Sequence, residues 1–98
     1  MDKREIYKEK AQAKLEMLNA RLDMLRAGAK DRAADAKLNL SGQIDVLNNK
    51  REDLESRLRQ IQQAGEDALE EMGKGLDLAL EDVQHALDRA GEALEKVA

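Results

Sequence analysis

Residues 15–25 read LEMLNARLDML and place leucine at positions 15, 18, 22 and 25, three and four residues apart. Side chains at this spacing lie on one face of an α-helix and form the apolar seam through which helices pack. The spacing continues in both directions and predicts helix almost from end to end. The full series, here called the leucine stripe, comprises Tyr7, Ala11, Leu15, Leu18, Leu22, Leu25, Ala29, Ala33, Ala36, Leu40, Ile44, Leu47, Arg51, Leu54, Leu58 and Ile61.

The helix boundaries follow from the few residues that interrupt this pattern. The chain contains no proline, so the sequence favours one long helix over about 3–63, which would extend about 90 Å at 1.5 Å per residue. Gly65 suits the left-handed position that ends a helix, and Asp67 suits the N-cap of the next one. We therefore predict a single all-α domain over 1–98, with a turn at 64–66 and a second helix over about 67–97.

A second turn is the alternative. Gly28 and Asp31 have the residue types of a helix stop and a following N-cap. A turn at Gly28–Asp31 would divide the long helix and produce a three-helix bundle instead of a helical hairpin.

The hairpin leaves part of the leucine stripe without a partner. A second helix of about 31 residues covers only half of the long one, and residues 3–32 remain exposed. We therefore expect an antiparallel homodimer that assembles as a helical bundle. Its predicted interface consists of Leu15, Leu18, Leu22, Leu25, Ala29, Ala33, Ala36 and Leu40.

The charge distribution favours the same arrangement. Residues 1–32 carry nine basic and six acidic residues, a net charge of +3, whereas residues 64–98 carry three basic and ten acidic residues, a net charge of −7. In an antiparallel dimer these two segments lie side by side. The acidic C-terminal third also argues against nucleic-acid binding, which needs a clustered basic face.

The composition excludes several classes of site. The absence of cysteine excludes disulfides, thiolate metal sites and cysteine nucleophiles. Residues 1–10 lack the apolar region of a secretory signal, so a cytoplasmic location is expected. His85 is the single histidine, and Asp82 precedes it by the three residues seen in helical di-metal sites. On a helical wheel, however, His85 points away from the apolar face. We expect no enzyme activity, no metal and no cofactor.

The last helix suggests a different function. It has a broad apolar face, from Leu76 to Leu94, as interfacial membrane helices do. Its polar face is mostly acidic, and anionic lipids would repel that face. Packing against a partner helix is therefore the preferred interpretation, and reversible membrane contact is the alternative.

Several short segments resemble a family of small bacterial coiled-coil-domain proteins. They are Tyr7-Lys8-Glu9-Lys10, Leu18-Asn19-Ala20, Ala33-Ala34-Asp35-Ala36-Lys37, Lys50-Arg51, Ala64-Gly65-Glu66-Asp67-Ala68-Leu69-Glu70, Gly75 and Ala86-Leu87. The resemblance covers nearly the whole chain, although this chain lacks the tryptophans that family members often carry. Some members are labelled stress-response proteins. The resemblance therefore implies a stress-related role. From the helical pattern and the lack of catalytic residues, we expect a non-enzymatic structural or interaction protein that binds itself, with an unknown protein as a possible further partner.

Overall fold

The described residues form three helices that pack against one another. The computed structural model describes residues 2–30 and 32–97, with α1 over Lys3–Ala29, α2 over Ala34–Gln63 and α3 over Glu66–Val97. The bundle measures 51 × 19 × 16 Å. Helices of this size are about 40–48 Å long at 1.5 Å per residue, so each one runs the length of the bundle. The all-α prediction is confirmed, and its three-helix alternative describes the topology.

The predicted long helix over 3–63 is wrong between α1 and α2. The backbone at Lys30 and Ala33 is extended, and the chain reverses there. The break overlaps the alternative turn at Gly28–Asp31, of which Asp31 lies outside the described residues. Ala33 contributes no side-chain cap to α2, so local sequence marks this turn only weakly.

The turn between α2 and α3 is shorter than predicted. Ala64 is extended, and the Gly65 carbonyl accepts hydrogen bonds from the amides of Ala68 and Leu69, both at 3.1 Å. Helix α3 therefore begins at Glu66, and Asp67 lies within its first turn instead of capping it. The left-handed conformation predicted for Gly65 is also wrong, because its φ lies outside the left-handed range.

Arg4 ties the start of α1 to the end of α2. Its guanidinium donates hydrogen bonds to the carbonyl oxygens of Ile61 at 2.9 Å, Gln62 at 3.0 Å and Ala64 at 2.7 Å. The last turn of α2 contains no basic residue of its own. A cation at that end is favourable because the terminal carbonyls are partly negative and lack helical partners.

The core lies along the common axis of the bundle and is built mainly from leucine and alanine. It contains no buried polar or charged residue within the described part of the chain. Leucine and isoleucine at every seventh position of α2 are completely buried, and α3 contributes a wider apolar face. The buried residues are Ala11, Leu18, Leu22, Leu25, Leu40, Leu47, Leu54, Ile61, Leu69, Leu76, Ala79, Leu80, Val83, Ala86, Leu87, Ala90 and Ala93.

Glycine allows α3 to approach α1 closely, and the two helices run parallel. The Tyr7 ring occupies the space that a side chain at Gly73 would need, and the Arg21 guanidinium lies 3.3 Å from the corresponding position at Gly91. A larger residue at Gly73 would displace the Tyr7 ring. This contact explains a glycine that the helical pattern alone leaves without a role.

Candidate functional site

The predicted interface residues lie mostly inside the single chain. Leu18, Leu22, Leu25 and Leu40 are completely buried, and Leu15 and Ala29 pack against the same core. Ala36 is half-buried, whereas Ala33 is exposed in the turn. The assignment of the four leucines to an intermolecular surface is therefore wrong, because the chain reverses between α1 and α2 and the packing of the helices buries these leucines within one chain. Self-association itself stays a prediction, but it needs another surface.

The charge complementarity expected between two chains is present within one chain. Lys10 of α1 pairs with Asp77 of α3 at 3.6 Å, and Lys50 of α2 pairs with Asp82 of α3. Lys14 of α1 donates a hydrogen bond to the Gln84 side chain of α3. The acidic last helix thus lies against basic residues of its own first two helices.

The Asp82–His85 pair has no metal-site geometry. His85 is exposed, as the helical wheel predicts, and the Asp82 carboxylate forms an ion pair with Lys50. Within residues 2–30 and 32–97 no three histidine, aspartate or glutamate side chains form a group that could hold a metal ion.

Helix α1 carries a second apolar line on its outer surface. Its large members are Ile6, Met17 and Met24, which are 41%, 47% and 54% exposed. Alanines complete the line at the intervening positions, and all of its members are exposed. We call this line the outer face of α1, and it comprises Ile6, Ala13, Met17, Ala20, Met24 and Ala27.

The outer face lies on the far side of α1 from the core. With 100° per residue, its centre is about 150° from the centre of Leu18, Leu22 and Leu25. Met17, Ala20 and Met24 border a shallow groove whose other wall is formed by Gln84 and Leu87 of α3, but the face itself stays exposed to solvent. From Ala13 to Ala27 the steps alternate 4, 3, 4 and 3, which is the spacing of a coiled-coil seam.

Other exposed apolar side chains are dispersed. Leu38 and Val46 lie on α2 and Leu78 lies on α3, one or two to a helix. Single exposed apolar residues are normal on protein surfaces, whereas Met17 and Met24 with the alanines around them form an apolar strip that is continuous over residues 13–27. The outer face is therefore the surface most suited to a partner helix.

Charged residues of opposite sign border the two sides of the outer face. One side, the acidic edge, consists of Glu9, Glu16 and Asp23. Glu16 and Asp23 immediately precede Met17 and Met24 of the line, and Glu9 lies seven residues before Glu16. The other side, the basic edge, consists of Lys14 and Arg21, which follow Ala13 and Ala20 and lie along α3.

The edges are largely unpaired within one chain. Asp23 forms an ion pair with Arg26 at 3.8 Å. Among the residues that the structure describes, Glu9, Glu16, Lys14 and Arg21 form no ion pair. Glu9 and Glu16 are exposed, whereas the Lys14 amine donates a hydrogen bond to Gln84 and the Arg21 guanidinium lies against Gly91. The charges of the two basic side chains are therefore held beside the face without an acidic partner in the described residues.

Sequence reasoning missed the outer face although its signal is local. The larger leucines one position away dominate the periodicity, and α1 was assigned a single apolar stripe. A second heptad series, from Ala13 through Ala20 to Ala27 with methionines between, is visible in the sequence once the first stripe is known to be buried.

Comparisons with protein-family models, with curated proteins and with solved structures found no match to this chain. In the described part of the chain, every helix is too polar or too short in its apolar segments to cross a membrane.

Proposed function

We propose that this chain is a non-enzymatic helical interaction protein and that the outer face of α1 binds a helix of a protein partner. The observation that carries the proposal is the exposed apolar line on the far side of α1 from the core. Association is driven mainly by removal of apolar surface from water, at about 25 cal/mol per Å². A coiled-coil spacing matches this surface to another helix.

The packing of α3 weakens the argument for the lipid-binding alternative. That alternative rested on the broad apolar face of the last helix. Leu76, Val83, Leu87 and Ala90 of that face are at most 3% exposed and pack inside the bundle. Lipid contact through α3 would require the bundle to open and the core to be lost. The stress-related role and the cytoplasmic location stay predictions.

Site-specific photo-crosslinking tests the proposed surface. A benzophenone amino acid replaces Ala20 at the centre of the outer face, and irradiation in the native host should yield a covalent protein adduct. The matched control carries the same group at Leu78, which is 69% exposed on α3, and should yield none. The double substitution Met17→Glu/Met24→Glu should abolish the adduct at position 20 while the melting temperature is retained.

The absence of a position-20 adduct would overturn the proposed function. Co-sedimentation with neutral and anionic liposomes separates it from the alternative. We expect the chain to remain in the supernatant with both kinds of vesicle, and binding to either kind would favour the membrane interpretation.

A further inference from the structure

We propose that the helix that covers the outer face is α1 of a second copy of this chain, aligned parallel and in register. This inference rests on the proposed function, because it names the partner of the same surface. In this arrangement Ala20 faces the second copy's Ala20 across a twofold axis that runs along the two helices. Methionine and alanine layers alternate along the axis, with Met17 and Met24 between the alanines.

The two charged edges determine the direction of the pairing. When two identical helices lie parallel about a twofold axis, the left edge of one faces the right edge of the other. The acidic edge of each copy then meets the basic edge of its partner. Charges at the positions that flank a coiled-coil seam set partner choice and orientation.

In the usual parallel geometry the opposed residues are five positions apart. Glu9 is then opposite the second copy's Lys14, and Glu16 is opposite the second copy's Arg21. The symmetry repeats each contact, so the dimer contains four pairs. All four side-chain positions are free of ion pairs within one chain.

An antiparallel pairing of two outer faces, which has the helix direction expected from the sequence, would bring like charges together. With the helices reversed, the acidic edge faces the acidic edge and the basic edge faces the basic edge. That expectation also depended on the uninterrupted helix over 3–63 and on leucines that the structure buries. The parallel pairing uses a surface that the folded chain leaves uncovered.

The fold has room for this dimer. The core is on the side of α1 opposite to the outer face, so α2 of each copy lies away from the partner, and α3 borders only one side of the face, at Gln84 and Leu87. Alanine at every seventh position, at 13, 20 and 27, allows the two helix axes to approach closely. The line is interrupted at Lys10, whose amine lies 3.6 Å from Asp77 of α3, so the contact is centred on residues 13–27.

The size of the contact predicts a weak dimer. The line from Ile6 to Ala27 is about 32 Å long at 1.5 Å per residue. With a width of about 10 Å it covers on the order of 320 Å² of each copy, which is below the roughly 800 Å² per partner of standard stable interfaces. We therefore expect a dissociation constant in the micromolar range or above, and measurements need protein concentrations of hundreds of micromolar.

Disulfide trapping tests both the partner and the direction. The chain has no cysteine of its own, so Ala13→Cys and Ala27→Cys each introduce a single thiol near one end of the seam. In the parallel dimer each thiol meets its own counterpart, and each variant alone should form a covalent dimer in a glutathione redox buffer. Leu78→Cys on α3 is the control for random collision, and we expect at least tenfold less dimer from it.

The mixture of the two variants distinguishes the directions. In an antiparallel pair centred on Ala20, residue 13 lies beside the second copy's residue 27, and the two copies of residue 13 are about 21 Å apart. A disulfide needs Cα atoms within about 7 Å. Heterodisulfides that form only in the mixture would overturn the parallel alignment.

A charge-reversed variant tests the role of the edges. Glu9→Lys/Glu16→Lys makes both edges basic, and sedimentation equilibrium should show at least a tenfold weaker association than for the unmodified chain. Unchanged association would overturn the charge argument. Retained helicity and melting temperature, measured by circular dichroism, confirm that the variant is folded.

The two proposals fail in different ways. If neither cysteine variant forms a dimer above the Leu78→Cys level while position 20 still crosslinks to a different protein, the second copy is the wrong partner and the interaction surface stands. If position 20 yields no adduct of any kind and no disulfide forms, both proposals are overturned.

Discussion

The contact between Tyr7 and Gly73 allows a sharp test of how α1 and α3 pack. The test compares Gly73→Ala with Gly42→Ala, since both glycines lie inside helices. A methyl group at Gly42 meets nothing within 4 Å, whereas a methyl group at Gly73 would overlap the Tyr7 ring. Alanine is more favourable than glycine in a helix interior by about 1 kcal/mol, so this gain applies to both substitutions and cancels in the comparison.

The difference between the two variants isolates the steric effect. Gly42→Ala should stabilise the bundle by about 1 kcal/mol, which raises the melting temperature of a domain of this size by about 4–8 °C. At Gly73 the added methyl group either strains the packing or expels the half-buried Tyr7 ring, and overpacking costs about 1–3 kcal/mol. The net effect of Gly73→Ala should therefore lie between neutral and about 2 kcal/mol destabilising.

A double-mutant cycle attributes the effect to the ring. In a Tyr7→Ala background the space above Gly73 is empty, and Gly73→Ala should then stabilise the chain as much as Gly42→Ala does. The expected coupling energy between positions 7 and 73 is about 1–3 kcal/mol, within the range for residues in contact. Urea denaturation followed by circular dichroism measures all four free energies of unfolding. Equal stabilisation by Gly42→Ala and Gly73→Ala in the unmodified background would refute this packing of α3 on α1.

Three further predictions concern the bundle as a whole. Leu22→Asp should abolish cooperative thermal unfolding measured by circular dichroism, because an unpaired charge in this completely buried position costs several kcal/mol; a folded monomer would contradict the assignment of Leu22 to the core. Arg4→Ala removes the cation from the end of α2 and should cost about 1–2 kcal/mol, with faster hydrogen exchange confined to the last turn of α2 and unchanged exchange at the turn between α1 and α2. Deletion of residues 66–98 should leave a chain that is largely unfolded or aggregated, because α3 covers the leucines of α1 and α2; a melting temperature equal to that of the whole chain would show that α3 is not part of the core.

Much of the secondary structure was predictable from local pattern. The spacing of leucine and isoleucine from Leu15 to Ile61 predicts helices and identifies the residues that they bury. Leu18, Leu22, Leu25, Leu40, Leu47, Leu54 and Ile61 are all completely buried. Arg51, the charged member of the leucine stripe, is half-buried as its position in the stripe predicts. Its guanidinium contacts the side chains of Asn19 and Glu55. Side-chain periodicity is a property of neighbouring residues, so it requires no knowledge of the fold.

The reversal of the chain between α1 and α2 was decided by tertiary packing. Glycine in a helix interior costs only about 1 kcal/mol, and Ala33 provides no side-chain cap, so local energetics barely separate a continuous helix from a broken one. Each leucine gains about 1.5–3 kcal/mol when it is fully buried. The free energy gained by burying four leucines, which would otherwise need a second chain to cover them, therefore exceeds the free energy of the few helical hydrogen bonds lost at the turn.

The reversal of the chain between α1 and α2 also determined which surface of α1 remains exposed to a partner. A chain that reverses between α1 and α2 buries its leucines internally and avoids the loss of translational and rotational freedom that association requires. The outer face of α1 then becomes the exposed apolar line. The sequence by itself determined that the chain is helical and which residues are apolar on each helix face. Only the tertiary structure decided which of the two faces of α1 points inward, because that depends on the energy of packing distant segments together and not on the order of neighbouring residues.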